Sequence, residues 1–130
     1  MTPRSLLLLS AGLIIGGAAL AADAAKDEAA LKLAGNAGCL TCHQVEPGGK
    51  GPDGLAPIGP AWREVSAKYK GQKGAADALT HTVMTGSNPY ESHWKGKVSG
   101  LAMPPNKVAI SEGDARKLVN WILSLAPAAK

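Results

Sequence analysis

The chain has 130 residues with 14 Lys+Arg against 10 Asp+Glu, a formal charge of +4. That length suits one domain, and the charge balance is too mild for the dense basic stripe of a nucleic-acid binder. Hydrophobic residues make up 45% of the chain, yet aromatics are only 4% and Phe is absent, so few side chains bring a large buried area and something other than protein is expected to fill the interior.

Met1 to Arg4 carries one positive side chain, Ser5 to Leu20 is apolar and uncharged, and "AALAADAA" at 18–25 offers small residues at the spacing a signal peptidase reads. Residues 1–22 are therefore expected to be a signal peptide, cut after Ala21 or Ala22. An uncleaved anchor is the alternative, since Ser5–Ala22 just reaches the ~18–20 apolar residues that cross a bilayer. The Ala/Gly-rich end of the run, with no basic stop signal after it, favours removal. The mature domain, 23–130, would then be periplasmic, without stable membrane insertion, and would carry 13 Lys+Arg against 10 Asp+Glu.

From Asp23 to Gly35 the chain is rich in Ala, Leu, Lys and Glu, with Asp27 and Glu28 near the start, which predicts a helix. Gly35 and Gly38 lead into "GCLTCHQ". The stretch 46–60, "EPGGKGPDGLAPIGP", holds five glycines and four prolines, which excludes helix and central strand. Trp62, Val65 and Tyr69 share one helical face ahead of Gly71, and Leu79, Val83 and Met84 give 75–86 the same character, ending at Gly86. Ser111 with Asp114 resembles a capping box, and Leu118, Val119, Ile122 and Leu125 form an apolar stripe that ends before Pro127. No run alternates with period two, so the fold is expected to be small and all-α with long loops.

Both cysteines, Cys39 and Cys42, lie in the heptapeptide with His43 directly after them. In a helical turn these three point to one side, so two thiols can add across the vinyl groups of one porphyrin while the imidazole reaches its iron. This is the attachment signal for haem c. A structural zinc site would need further Cys or His ligands, of which only His81 and His93 remain. A thioredoxin-like pair needs a βαβ setting that the chain lacks. A disulfide across so short a loop is an inefficient staple.

The opposite face of the iron decides between chemistry at an open position and electron transfer. Candidates are Met84, Met103, His81 and His93. Met84 lies in a helical pattern and reads as core filling; His81 shares that helix, and His93 stands beside Trp94 in a polar loop. Met103 differs because Pro104 and Pro105 follow it and bias it toward an extended conformation. A pre-set loop suits a weak thioether ligand.

Taken together, "GCLTCH", "IGPAWREVSAKYKG", "AMPPN" and "ARKLVNWILS" resemble a class I cytochrome c, particularly the short bacterial c-551/c8 type, over nearly all of the mature domain. The resemblance implies about four helices wrapped around one covalent haem, thioethers at Cys39 and Cys42, His43 as proximal ligand and Met103 as distal ligand. It also implies that the carbonyl of Pro60 accepts the His43 ring N–H, and that Asn106 hydrogen-bonds near the methionine sulfur. The loop at 46–60 is longer than in the shortest members, Trp94 lies farther before the methionine than the family's propionate-binding tryptophan, and Leu33 and Ala34 stand where the first helix usually carries an aromatic.

The expected function is one-electron transfer by a non-enzymatic, soluble carrier acting between other redox proteins, as a monomer. Lys50, Lys68, Lys70, Lys73, Lys95, Lys97 and Lys107 fall in segments around the expected haem edge and would favour acidic docking surfaces, most strongly at low salt; scattered solubilising charge is the plain alternative. Two other classes stay open: a haem enzyme or gas binder with Met103 detached, and an electron-accepting subunit of a periplasmic dehydrogenase, for example one oxidising a sulfur compound, docked through the 46–60 loop.

Overall fold

The structure is a computed structural model that describes residues 16–127, with side-chain burial from Ala21 onward. Among the described residues there are four α-helices and no strand: α1 (Gly16–Asn36), α2 (Trp62–Tyr69), α3 (Ala75–Thr85) and α4 (Glu112–Ser124). The all-α expectation holds. Residues 1–15 of the expected signal peptide lie outside the described residues.

The closing helix organises the others, because α1, α2 and α3 all pack against α4. Its start is fixed by Ser111, whose Oγ accepts from the Asp114 N–H at 3.1 Å and donates to Asp114 Oδ2 at 2.9 Å. A capping oxygen of this kind satisfies one of the orphan donors of the first turn. The stripe Leu118, Val119, Ile122 and Leu125 is buried throughout, each side chain contributing roughly 1.5–3 kcal/mol of transfer free energy. At the other end, Ser66 of α2 is fully buried and donates to the Leu125 carbonyl at 2.9 Å, while Lys70 Nζ reaches the Ser124 and Leu125 carbonyls at 3.3 and 3.4 Å. The orphan acceptors of α4 are thus met by α2.

Between α1 and α4 the contact is made by small residues, since Ala34 and Ala115 are both completely buried. Trp121 is half-buried beside this crossing. Its Nε1 donates to Asp27 Oδ1 of α1 at 2.7 Å, and its ring meets Trp62 of α2 edge-on, with centroids 5.5 Å apart at 85°. Such a pair adds roughly 0.5–1.5 kcal/mol beyond its area. Arg116 of α4 pairs with Asp77 of α3 at 2.7 Å.

One boundary differs from expectation. The described part of the first helix already includes Gly16, ahead of the predicted Asp23, and runs unbroken through Ala21 and Ala22. Its Ala-rich sequence has high helix propensity on both sides of the expected cut, so nothing local interrupts it. Every residue from Ala21 to Ala29 is exposed, and packing begins only at Ala30. The segment 46–60 contains no α-helix, as its prolines require, and makes only a 3₁₀ turn at Pro52–Gly54.

Candidate cofactor site

The attachment motif is a closed turn. Gly38, at φ 75°, starts a 3₁₀ turn over Cys39–Thr41, and both Cys42 N–H and His43 N–H donate to the Cys39 carbonyl, at 3.2 and 3.0 Å. This brings Cys39, Cys42 and His43 to one end of α1. Both cysteines are half-buried and form no disulfide with each other. Burial pushes the Cys39 thiol above its ordinary value, and the neighbouring Cys42 adds to the shift.

Gln44 and Val45, directly after the motif, are welded to α2. The orphan N–H groups of Trp62 and Arg63 donate to the Gln44 and Val45 carbonyls, at 2.8 and 3.1 Å, and Glu64 Oε2 accepts from Ala61 N–H at 3.2 Å. His43 is therefore held between two fixed segments. Its Nδ1 lies 2.8 Å from the Pro60 carbonyl. A carbonyl can only accept, so Nδ1 carries the proton and Nε2 keeps its lone pair. Burial holds the imidazole below its ordinary pKa despite the opposing pull of the Pro60 carbonyl. The ring also stacks near Trp62, with centroids 5.9 Å apart at 22°.

Gly59 is what lets Pro60 come so close. A Cβ there would sit 2.7 Å from His43 Cε1 and 2.9 Å from Nδ1. Only hydrogen occupies that space.

Cys42, His43 and Met103 line one cleft of about 940 Å³, mouth included, whose walls are largely apolar and include Ile58, Val65, Leu79, Val83, Val98 and Leu101. Of the four candidates for a second iron ligand, only Met103 lines it. Met84 is half-buried against the helical core, and His81 and His93 are exposed. The His93 ring packs edge-on against Trp94 at 4.9 Å, and desolvation, with Lys68 and Lys97 nearby, holds it below the ordinary histidine value. Trp94 itself lines the cleft, with Lys97 Nζ 5.7 Å from its ring centroid.

The methionine arrives on a tethered loop. Met103 N–H donates to Ser87 Oγ at 2.8 Å, and Ser87 N–H donates to the Met103 carbonyl at 2.9 Å. Asn106 sits at the far end, where its Nδ2 donates to the carbonyls of Pro104 at 2.7 Å and Val83 at 3.3 Å. Cys39 and Asn106 do not line the cleft, whereas Pro60 does.

An apolar slot with a neutral imidazole, a thioether and an adjacent thiol fits a flat, largely apolar iron porphyrin in its donor set and in its walls. The profile of the family described as "Cytochrome c" matches residues 28–126. The chain belongs to the cytochrome c family. This cytochrome is of the class I bacterial type, and its family comprises electron carriers, not enzymes, that hold one covalent haem c with iron. It is 34% identical over 125 residues to cytochrome c-551 of Pseudomonas aeruginosa, spanning 95% of this chain and 98% of that one. With cytochrome c-551 of Allochromatium vinosum it shares 38% identity over 95 residues, 73% of this chain and 84% of that one. The crystal structure of wild-type Nitrosomonas europaea cytochrome c552 superposes with a TM-score of 0.55 at 35% identity, covering 72% of this chain and 96% of that one.

Three residues of this cytochrome's site escaped the sequence reading: Gly59, Ser87 and Trp62 in its contact with His43. Gly59 had a signal, since it directly precedes the proline whose carbonyl must approach the imidazole. Ser87 had none.

Proposed function

We propose that residues 23–130 act in the periplasm as a soluble monohaem cytochrome that carries single electrons between redox proteins, with haem fastened by Cys39 and Cys42 and its iron held by His43 and Met103. The observation that carries this reading is the convergence of His43 and Met103 on a single cleft, when Met84, His81 and His93 lie elsewhere. Bound haem supplies a reversible one-electron change of iron valence, and a histidine–methionine pair gives cytochromes c a raised potential.

The chain's own residues do the rest. Pro60 fixes the His43 tautomer and so leaves the Nε2 lone pair available to hold iron, as partners of ligating histidines generally do. Ile58, Leu79, Val83 and Val98 keep water from the cleft, which lowers the local dielectric and so tunes the potential. Leu101, 84% exposed, lines the cleft, and Lys97 Nζ lies 5.7 Å from the ring centroid of Trp94, which lines it too, a combination suited to brief encounters with an acidic partner.

The test is absorption in both valence states for wild type and Met103→Ala. The wild type is expected to show thioether-linked haem with a methionine-to-iron band near the red edge, insensitive to carbon monoxide. Met103→Ala is expected to lose that band, bind carbon monoxide and fall in potential. Unaltered spectra in the variant would move the ligand to a histidine. N-terminal sequencing of exported protein is expected to begin at Ala22 or Asp23, and gel filtration to give a monomer; co-elution with a catalytic chain would favour the dehydrogenase-subunit alternative.

A further inference from the structure

The segment from Met103 to Asn106 is held to the end of α3 at both of its ends. At the far end Asn106 N–H donates to the Val83 carbonyl at 3.0 Å, reinforced by its own side-chain amide. At the near end Met103 and Ser87 exchange two hydrogen bonds, one through the serine backbone and one through its hydroxyl. Pro104 and Pro105 have no N–H and can add no tie as donors. Just before Ser87, Gly86 sits at φ 86°, where a Cβ would lie 2.9 Å from the Met103 carbonyl and 3.1 Å from Pro105. The chain at 86–87 and the methionine loop are therefore in direct contact.

We propose that Ser87 is the positioning residue for the distal ligand: its hydroxyl oxygen fixes the Met103 backbone and so sets how firmly the thioether competes for the iron. This rests on Met103 being that ligand. Ser87 Oγ is the side-chain atom outside the loop that bonds the methionine's own backbone, and Ser87 lines the same half-buried cleft. Without it the Met103 N–H loses its partner in a part-buried place, and the loop gains freedom that the bound state must remove.

The experiment is imidazole binding to the ferric holoprotein, followed by absorption, for wild type, Ser87→Ala, Ser87→Thr and Met103→Ala. Ser87→Ala is expected to bind imidazole about fivefold more tightly than wild type, the size of one net hydrogen bond. Ser87→Thr keeps the acceptor and is expected to match wild type within about twofold. If Ser87→Ala yields no mature protein, Ser87→Cys, a weaker acceptor of similar size, is expected to show about half that gain. An affinity unchanged in Ser87→Ala, or a loss of thermal stability without a gain in imidazole affinity, overturns the proposal. Met103→Ala separates the two readings. A large affinity gain there with none in Ser87→Ala sinks only the serine's role, whereas no gain in either sinks the ligand assignment as well.

Discussion

Replacing Gly59 by alanine tests the proximal side directly. Gly59 does not have a positive φ, so the backbone accepts alanine and any cost is steric. The new methyl would meet His43 Cε1 at 2.7 Å, Nδ1 at 2.9 Å and the Cys42 carbonyl at 3.1 Å. Carbon contacts are comfortable from about 3.5 Å, so the imidazole must retreat by roughly 0.8 Å. It cannot do so freely, because Nδ1 is tied to Pro60 at 2.8 Å and Gly59 N–H to the Cys42 carbonyl at 2.8 Å. Overpacking costs about 1–3 kcal/mol, with up to ~1.5 kcal/mol more if the Pro60 bond is lost. For a domain of this size a loss of about 2 kcal/mol lowers the melting temperature by roughly 8–16 °C. Calorimetry of the holoprotein measures this, and potentiometry is expected to register the displacement of His43, the proposed ligand. Gly113→Ala is the internal control: no atom lies within 4 Å of its added Cβ, it sits in α4, and its φ is not positive. It is expected to stabilise by about 0.4–1 kcal/mol. A Gly59→Ala protein that melts with wild type, beside a Gly113→Ala protein that melts higher, would refute the reasoning.

Trp121→Phe and Asp27→Ala should each cost about 1 kcal/mol, with the double variant losing little more than the worse single one, because both remove the same bond; additive losses in denaturant titrations would count against it. Ser66→Ala is expected to cost about 0.5–1.5 kcal/mol by removing the short bond to the Leu125 carbonyl, to which only the longer contact from Lys70 Nζ at 3.4 Å would remain, measured as a shift of the urea midpoint at constant slope. The Asp114 carboxyl is held below its ordinary value by hydrogen bonds from Lys117 and then Ser111. A carboxylate so depressed contributes stability that is complete above the unfolded value of about 3.9 and lost as pH falls through the lower folded one. Asp114→Asn should therefore flatten the loss of stability below about pH 4 and leave its slope at neutral pH unchanged.

The helices were legible where local chemistry decides them. Ser111 and the stripe from Leu118 to Leu125 announced α4, and Gly71 and Gly86 marked the ends of α2 and α3. The attachment turn could be read because three reactive side chains fall within five positions. The continuation of α1 ahead of Asp23 could not, since charge and apolarity report export and carry no instruction to end a helix among alanines. The His43–Pro60 bond spans 17 residues and came into view only through the family resemblance. The 46–60 loop revealed what it excludes; that Ser99 and Gly100 N–H groups donate to the Pro57 and Ile58 carbonyls depends on chain return from far away. The Asn106 amide likewise turns to backbone carbonyls because those lie nearest the end of α3.

The outward-standing turns of α1 bear on how this protein would weather an environment full of exopeptidases. From Ala21 to Ala29 no side chain is covered, and so short a helix without tertiary support is marginal in water. Its first anchorage is Asp27, through Trp121. With the proposed amino end at Ala22 or Asp23, nibbling should stall near that aspartate, so that purified material would show ragged masses at one terminus while its colour and its melting behaviour stay the same.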